Sequence, residues 1–227
     1  MIKKFHCYQS EKVYNEGNHA CLGISPFNSY FKEQTIKNLA YWASENFVSF
    51  SIFIPDKPTI YTLNALGYSL EKAMKESNKQ SRYLKNQIKR ALLSIGKQYD
   101  ELDSILLDAE KLDKNEQFLK TYKTIIWYFE NDPAFRESCL DASKWVLQAK
   151  MKTGFQLTEK ALHTAVKYFL YEVPIFIDTA NIIGKDSSLF CYHQAPLFLQ
   201  KMYSCGFNLK PRSNQGFAEL HQIVTNS

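Results

Sequence analysis

The sequence predicts an α/β domain built on a central, mainly parallel sheet flanked by helices. Three observations carry that expectation. Short apolar, aromatic or β-branched runs at 19–24, 48–54 and 187–192 read as buried strands. Between them lie longer segments whose apolar residues recur at helical spacing. Strands alternating with helices bring the strands together in parallel.

Taken in order, 19–24 is a strand that ends at a turn-like Ser25-Pro26-Phe27-Asn28. Residues 33–47 place Ile36, Leu39, Ala40, Ala43 and Phe47 on one helical face. The strand 48–54 stops at Pro55-Asp56-Lys57-Pro58, and a short helix then runs to Leu66, closed by Gly67. Residues 69–95 form one long helix ended by Gly96, and 104–107 is expected as a third strand. Two helices follow at 115–130 and 133–150, the second with Pro133 at its start, where a missing N–H costs nothing. A helix at 158–171 is expected to finish at Glu172, stopped by Val173-Pro174. The strand 187–192, a helix at 196–205 closed by Gly206, and a last strand or helix at 217–224 complete the chain.

At 227 residues, 45% hydrophobic and 22% charged, the chain fits one domain over residues 1–227 with a core that needs no disulfide staples. Five cysteines, odd in number and without C-x-x-C spacing, argue against a zinc ribbon or disulfide scaffold and suit a cytoplasmic protein. No apolar run approaches a membrane span, and the basic N-terminus is not followed by a signal-peptide core. Scattered histidines without H-E-x-x-H spacing point to no metal. G-x-G-x-x-G and Walker patterns are absent, so no dinucleotide or nucleoside triphosphate cofactor is indicated.

Four segments carry candidate chemistry. Gly23-Ile24-Ser25-Pro26-Phe27-Asn28 puts a serine at the carboxyl end of a strand, where open α/β sheets bind ligands. Gly23 would allow close approach of a substrate, and Asn28 would hold the loop; the plainer alternative is a serine that only caps a helix. Tyr168 and Glu172, four apart, share a helical face and could receive an ammonium group, or could be a core phenol beside a surface carboxylate. In Phe190-Cys191-Tyr192-His193-Gln194, His193 could be a base or a structural hydrogen-bonder. On the long helix, Lys79, Arg82, Lys85, Lys89 and Arg90 concentrate positive charge, with Arg82, Lys85 and Lys89 stepping at three and four. That stripe is either a solvated face or a contact for a phosphate backbone.

Together these segments resemble the cyclodipeptide synthases, from about Ala20 to Gly206. The resemblance rests on Gly23-Ile24-Ser25-x-x-Asn28-Ser29-Tyr30-Phe31, on Trp42-Ala43, Phe47, Asp56 and Gly67, on Tyr168-x-x-x-Glu172-x-Pro174-x-Phe176, and on Cys191-Tyr192-His193. Asn28, Tyr192 and His193 match the subgroup defined by those three residue types. The resemblance implies a single Rossmann-like domain similar to the catalytic domains of class I tyrosyl- and tryptophanyl-tRNA synthetases. It implies an enzyme, an aminoacyltransferase, that joins the aminoacyl groups of two aminoacyl-tRNAs into a cyclic dipeptide.

By the same resemblance Ser25 is the acylated nucleophile, Tyr168 and Glu172 hold the substrate amino group, and Tyr192 assists proton transfer. Asn28 and His193 shape the site, and the basic helix holds the first tRNA. The first aminoacyl pocket is expected to include Cys21, Phe53, Ile175 and Phe190, none of them charged, which favours an aliphatic residue. No cofactor, metal or membrane is implied, and a monomer is expected. Rival readings are a serine hydrolase of another class and a non-catalytic tRNA-binding module.

Overall fold

The computed structural model describes residues 2–151 and 156–221. Its elements, in chain order, are β1 (Ile2–Phe5), α1 (Tyr8–Glu16), β2 (His19–Gly23), α2 (Glu33–Asn46), β3 (Ser49–Ile54), α3 (Thr59–Ala65) and α4 (Leu70–Ser94). There follow α5 (Leu102–Ile105), β4 (Leu106–Asp108), α6 (Ala109–Leu112), α7 (Glu116–Asn131), α8 (Pro133–Gln148), α9 (Glu159–Ile182), β5 (Ser188–Tyr192), α10 (Leu197–Tyr203) and β6 (Gln215–Leu220).

The strands form one sheet in the order β1-β6-β5-β2-β3-β4. All neighbours run parallel except β1, which pairs antiparallel with β6. From β2 the chain moves outward through β3 to β4; from β5 it moves the other way to β6. The order therefore reverses between β2 and β5, and the crevice beyond their carboxyl ends is where such sheets bind ligands. Successive strand residues point to opposite faces. Ala20, Leu22, Ile24, Ile52 and Ile54 pack under α2 and α4. Cys21, Phe53, Phe190 and Phe217 pack under α7, α8 and α9. Burial on both faces is why β2 reads as an unbroken apolar run.

The helices start and stop where local chemistry dictates. Ser69 caps α4 by accepting from Lys72 N, and Thr158 caps α9 by accepting from Ala161 N. Gly67 and Gly96 follow α3 and α4 with φ of +90° and +87°, a region that favours glycine.

Three expectations need correction. The strand at 19–24 is the second in the chain, because Ile2–Phe5 already pairs with β6. The expected strand at 104–107 is half helical turn: Ser104 Oγ donates to Glu101 O at 2.7 Å, and pairing with β3 begins only at Leu106. Pro174 does not stop a helix; α9 runs through it to Ile182 and bends at Asp178, whose φ and ψ are −148° and 21°.

The bend in α9 is supported from outside the helix. Tyr203 Oη donates to Phe176 O at 2.6 Å, and Arg212 N donates to Ile177 O at 2.9 Å. The Asp178 carboxylate accepts from Gln117, Thr121 and Asn181. Burial of Val173, Ile175, Phe176 and Ile177 outweighs the bond that proline cannot make. The final element ends at Leu220, and the expected residues beyond 221 lie outside the described ones. Among the described residues no helix is long and apolar enough to cross a membrane.

Candidate active site

The register of β2 against β5 builds the site. Leu22 lies beside Cys191, so Gly23 comes next to Tyr192 at the sheet's carboxyl edge. Ile24 N still bonds to Phe53 O at 2.9 Å, and Ser25 is the first residue released into the loop. Ser25 Oγ lies 3.1 Å from Tyr192 Oη. A Cβ on Gly23 would fall 2.8 Å from the Phe190 ring and 3.2 Å from the Tyr192 ring. Gly23 is therefore needed by the aromatic side chains that flank the serine, not only by an incoming substrate. Beyond Ser25 the loop bends sharply, with Phe27 at a φ of 59°.

The helix α9 brings the second group of residues to the serine. Tyr168 and Glu172 lie one turn apart and face the same cavity as Ser25. Burial holds the Tyr168 phenol well above its usual range, and the neighbouring Glu172 and Tyr192 add to this while its hydrogen bond with Ser25 opposes it. Burial also lifts Tyr192 to about 12, against hydrogen bonds with Ser25 and Asn28. Burial pushes the Glu172 carboxyl up to about 8, although Tyr168 pulls it down. Near neutral pH the serine thus meets two protonated phenols and a mostly protonated carboxylic acid. That arrangement donates hydrogen bonds to developing negative charge and receives an ammonium group only by releasing the Glu172 proton.

Asn28 and His193 support the loop from beneath. Asn28 Oδ1 accepts from Tyr30 N at 3.0 Å, which leaves its amide nitrogen to meet His193 Nε2 at 3.4 Å. The His193 ring stacks on Tyr30 with centroids 4.2 Å apart. Burial lowers the His193 pKa to about 4, with Glu219 opposing, so the ring is neutral at physiological pH. It positions Asn28 and the turn; it does not touch Ser25 in the way Tyr192 does.

The cavity above Ser25 has a volume of about 1200 Å³. Of the four expected pocket residues, Phe53 and Phe190 line it. Cys21 and Ile175 are fully buried and lie behind that lining, in the core packed under α9. Cys21 sits two residues deeper on β2 than Gly23, so strand parity is right while depth is wrong. Sequence reasoning missed Phe176, Trp145, Leu197 and Lys150, which also line the cavity. Phe176 was legible as part of the Tyr168-to-Phe176 pattern; the others come from α8, the turn just after it and α10, which carry no local motif.

The basic helix is only partly free. Lys79, Arg82 and Lys89 are exposed on α4. Lys85 instead turns inward, with Nζ 2.8 Å from Asp56 Oδ2 and 2.5 Å from Asp108 Oδ2. Burial opposes its charge, but those bonds outweigh it and hold the Lys85 pKa above its usual value. Arg90 is exposed but engaged, 2.7 Å from Glu33. Lys85 is thus withdrawn from the expected stripe, and Arg90 would have to exchange its partner to meet a phosphate. Among the described residues, no group of three or more His, Cys, Asp and Glu side chains is arranged to hold a metal ion.

Comparison with known proteins agrees with this geometry. The sequence model of the family described as cyclodipeptide synthase matches residues 5–222. A cyclo(L-leucyl-L-leucyl) synthase of Staphylococcus haemolyticus is 32% identical over 210 residues, covering 91% of this chain and 88% of that protein. A cyclo(L-tyrosyl-L-tyrosyl) synthase of Mycobacterium tuberculosis is 28% identical, covering 96% of this chain and 73% of that protein. The solved cyclodipeptide synthase of Staphylococcus haemolyticus superimposes with a TM-score of 0.89 at 28% identity, covering 98% of this chain and all of that one (100%). One from Bacillus thermoamylovorans gives 0.89 at 31% identity, covering 97% and 95% of the two chains. The Mycobacterium tuberculosis structure, described as showing that these enzymes are related to type I tRNA synthetases, gives 0.81 at 26%, covering 96% and 94%. With the family model matched over residues 5–222 and a relative 32% identical over 91% of its length, the chain belongs to the cyclodipeptide synthase family.

Proposed function

We propose that the protein makes its cyclic dipeptide from two aminoacyl-tRNAs in a ping-pong reaction, through an aminoacyl ester on Ser25. The observation that carries this reading is Ser25 Oγ held 3.1 Å from Tyr192 Oη at the floor of a cavity that Tyr168 and Glu172 also face. The class I synthetase likeness of the fold and the exposed cations of α4 support a tRNA-borne substrate. An aminoacyl-tRNA ester is already activated, so acyl transfer needs no nucleotide hydrolysis.

In the first step Ser25 Oγ attacks the ester carbonyl. The bond to the ribose oxygen breaks, and the serine proton passes to that leaving oxygen, with Tyr192 relaying it. Tyr168 and Tyr192, both protonated, donate toward the tetrahedral oxyanion. Glu172 holds the ammonium of the bound residue and takes up a proton as that amine becomes a nucleophile. The amine then attacks the second aminoacyl ester, giving a dipeptidyl ester on Ser25 and a second free tRNA. Finally the new terminal amine attacks the Ser25 ester. The six-membered ring closes, the Ser25 C–O bond breaks, and the proton returns to Oγ. Proximity favours this intramolecular step.

An aliphatic first residue, leucine before others, follows from the uncharged Phe53 and Phe190 walls and from the name of the Staphylococcus relative. Asn28 and His193 act by holding the Ser25 loop, and Lys79, Arg82 and Lys89 contact the tRNA backbone. The protein works as a monomer, and its substrates place it in the cytoplasm. Incubation with leucyl-tRNA, followed by mass analysis of small molecules, tests the assignment. A leucine-containing cyclic dipeptide supports it; turnover of simple esters without any use of charged tRNA sinks it.

A further inference from the structure

Large exposed tryptophans are uncommon on a folded surface, and their location decides what they mean. Trp127 and Trp145 are 57% and 56% exposed. Trp127 rests edge-on against Tyr128, away from the Ser25 cavity. Trp145, on α8, borders that cavity. So does a second exposed apolar side chain, Leu197 at the start of α10, which is 65% exposed. Apolar surface left open on the edge of a reaction cavity is surface available to a substrate.

Charge and size narrow the occupant. Lys72 and Lys201 border the same cavity, as does Lys150, whose charge burial disfavours. Lys201 follows Leu197 by four residues, so both share one face of α10. Of the carboxylates on the cavity, Glu219 is paired with Lys3 at 2.9 Å and Glu172 is held protonated by burial, which leaves Asp141 as the counterweight. The surroundings are therefore net cationic. The volume of about 1200 Å³ exceeds the roughly 300–1,000 Å³ that encloses a drug-sized ligand, and an aminoacyl group is far smaller than that. Phe53, Phe190 and Glu172 account for the aminoacyl end. The rest of the space is matched by a flat ring with a phosphate beside it, the chemistry that an aromatic side chain and a lysine receive together.

We propose that Trp145, with Leu197 on the same cavity, is the stacking platform for the terminal adenine of the tRNA acceptor end, with Lys201 meeting the adjoining phosphate. The proposal rests on the tRNA-dependent reading above. Stacking on a base face is tolerant of the remaining sequence. One platform therefore serves both tRNAs in turn, because each ends in the same nucleoside whatever amino acid it carries. The aminoacyl pocket selects the side chain, while Trp145 sets how far the ester reaches toward Ser25.

The test compares uncharged tRNA with the same tRNA lacking its terminal adenosine. Binding of both is measured to the wild type, Trp145→Ala and Trp145→Phe. The wild type should bind the complete tRNA roughly 5- to 150-fold more tightly than the truncated one. Trp145→Ala should lose that preference and bind both as the wild type binds the truncated form. Trp145→Phe, which keeps a ring, should retain most of it. An alanine variant that discriminates as well as the wild type overturns the platform, as does a wild type that binds both forms equally. Failure of the wild type to bind either tRNA would sink the tRNA-dependent reading itself, and the platform with it.

Discussion

Two polar clusters sit at the carboxyl edge of the same sheet, and they are built on opposite principles. Beyond β3 and β4, Lys85 is shared between Asp56 and Asp108, and the remaining oxygens are satisfied: Asp56 Oδ1 accepts from Lys57 N and Ala109 N, and Asp108 Oδ1 accepts from Lys111 N. Burial works against the Asp108 charge, yet Lys85 outweighs it and draws its pKa below the usual value. Beyond β2 and β5, Glu172 has no cation to answer it among the described residues, and burial lifts it to about 8. The first cluster has made its ion pairs and holds the long helix onto the sheet. In the proposed mechanism the second stays without its pair until a substrate supplies the ammonium. Burial alone does not mark a functional carboxylate; burial without a counter-charge does.

This contrast gives its largest expected effect at Lys85. Lys85→Met should destabilise the fold by about 3 kcal/mol, because two carboxylates are left facing each other. Lys79→Met, on the exposed face, should change stability by less than about 0.5 kcal/mol. The Asp108 pKa is depressed on folding, so its contribution is present above the ordinary aspartate range and lost as pH falls through its lowered value. The difference between wild type and Lys85→Met should shrink correspondingly in acid. Urea titrations across pH measure this, and similar small losses for both lysines would erase the distinction between the clusters.

A smaller effect is expected at Glu172. Glu172→Gln keeps the shape and removes the charge, costing about 1.5–3 kcal/mol of transition-state binding, or roughly 10- to 150-fold in kcat/KM. Since the free enzyme holds the Glu172 proton up to about 8, wild-type kcat/KM should rise with pH toward that value. The glutamine variant should lose that limb of the profile. An unchanged profile would make Glu172 a structural residue like Asp108.

The mildest effect concerns the exposed face of α4. Reversing Lys79, Arg82 and Lys89 to Glu should weaken charged-tRNA use and flatten its salt dependence while leaving the fold intact. Full activity at every salt concentration would move tRNA docking elsewhere on the surface.

Much of this was legible in the sequence, and the failures are instructive. Ser25, Tyr168, Glu172 and Tyr192 converge as their motifs implied, because strand ends and helical turns fix direction as well as position. Lys85 was misread as surface because it keeps step with Arg82 and Lys89. Yet by the 3.6-residue turn it lies only about 20° around the helix from Leu92, at the edge of the apolar arc. Pro174 misled because the donors that support the α9 bend, Tyr203 and Arg212, come from segments 27 and 35 residues away along the chain from Phe176 and Ile177. Cys21 and Ile175, carried over from the family resemblance, lie fully buried behind the cavity lining, since a resemblance in sequence carries a position but not its depth. Trp145 and Leu197 gave no signal at all: an isolated apolar residue acquires meaning only once folding sets it on the cavity that the serine also lines.

The covalent intermediate on Ser25 is the step most directly open to measurement. Mixing the enzyme with leucyl-tRNA, quenching in acid and digesting should yield a peptide containing Ser25 that carries one leucyl group, sensitive to mild base as an ester is. Ser25→Ala should retain fold and tRNA binding, show no such adduct, and form no cyclic dipeptide. Normal product formation by Ser25→Ala, or an adduct on any other residue, would contradict it.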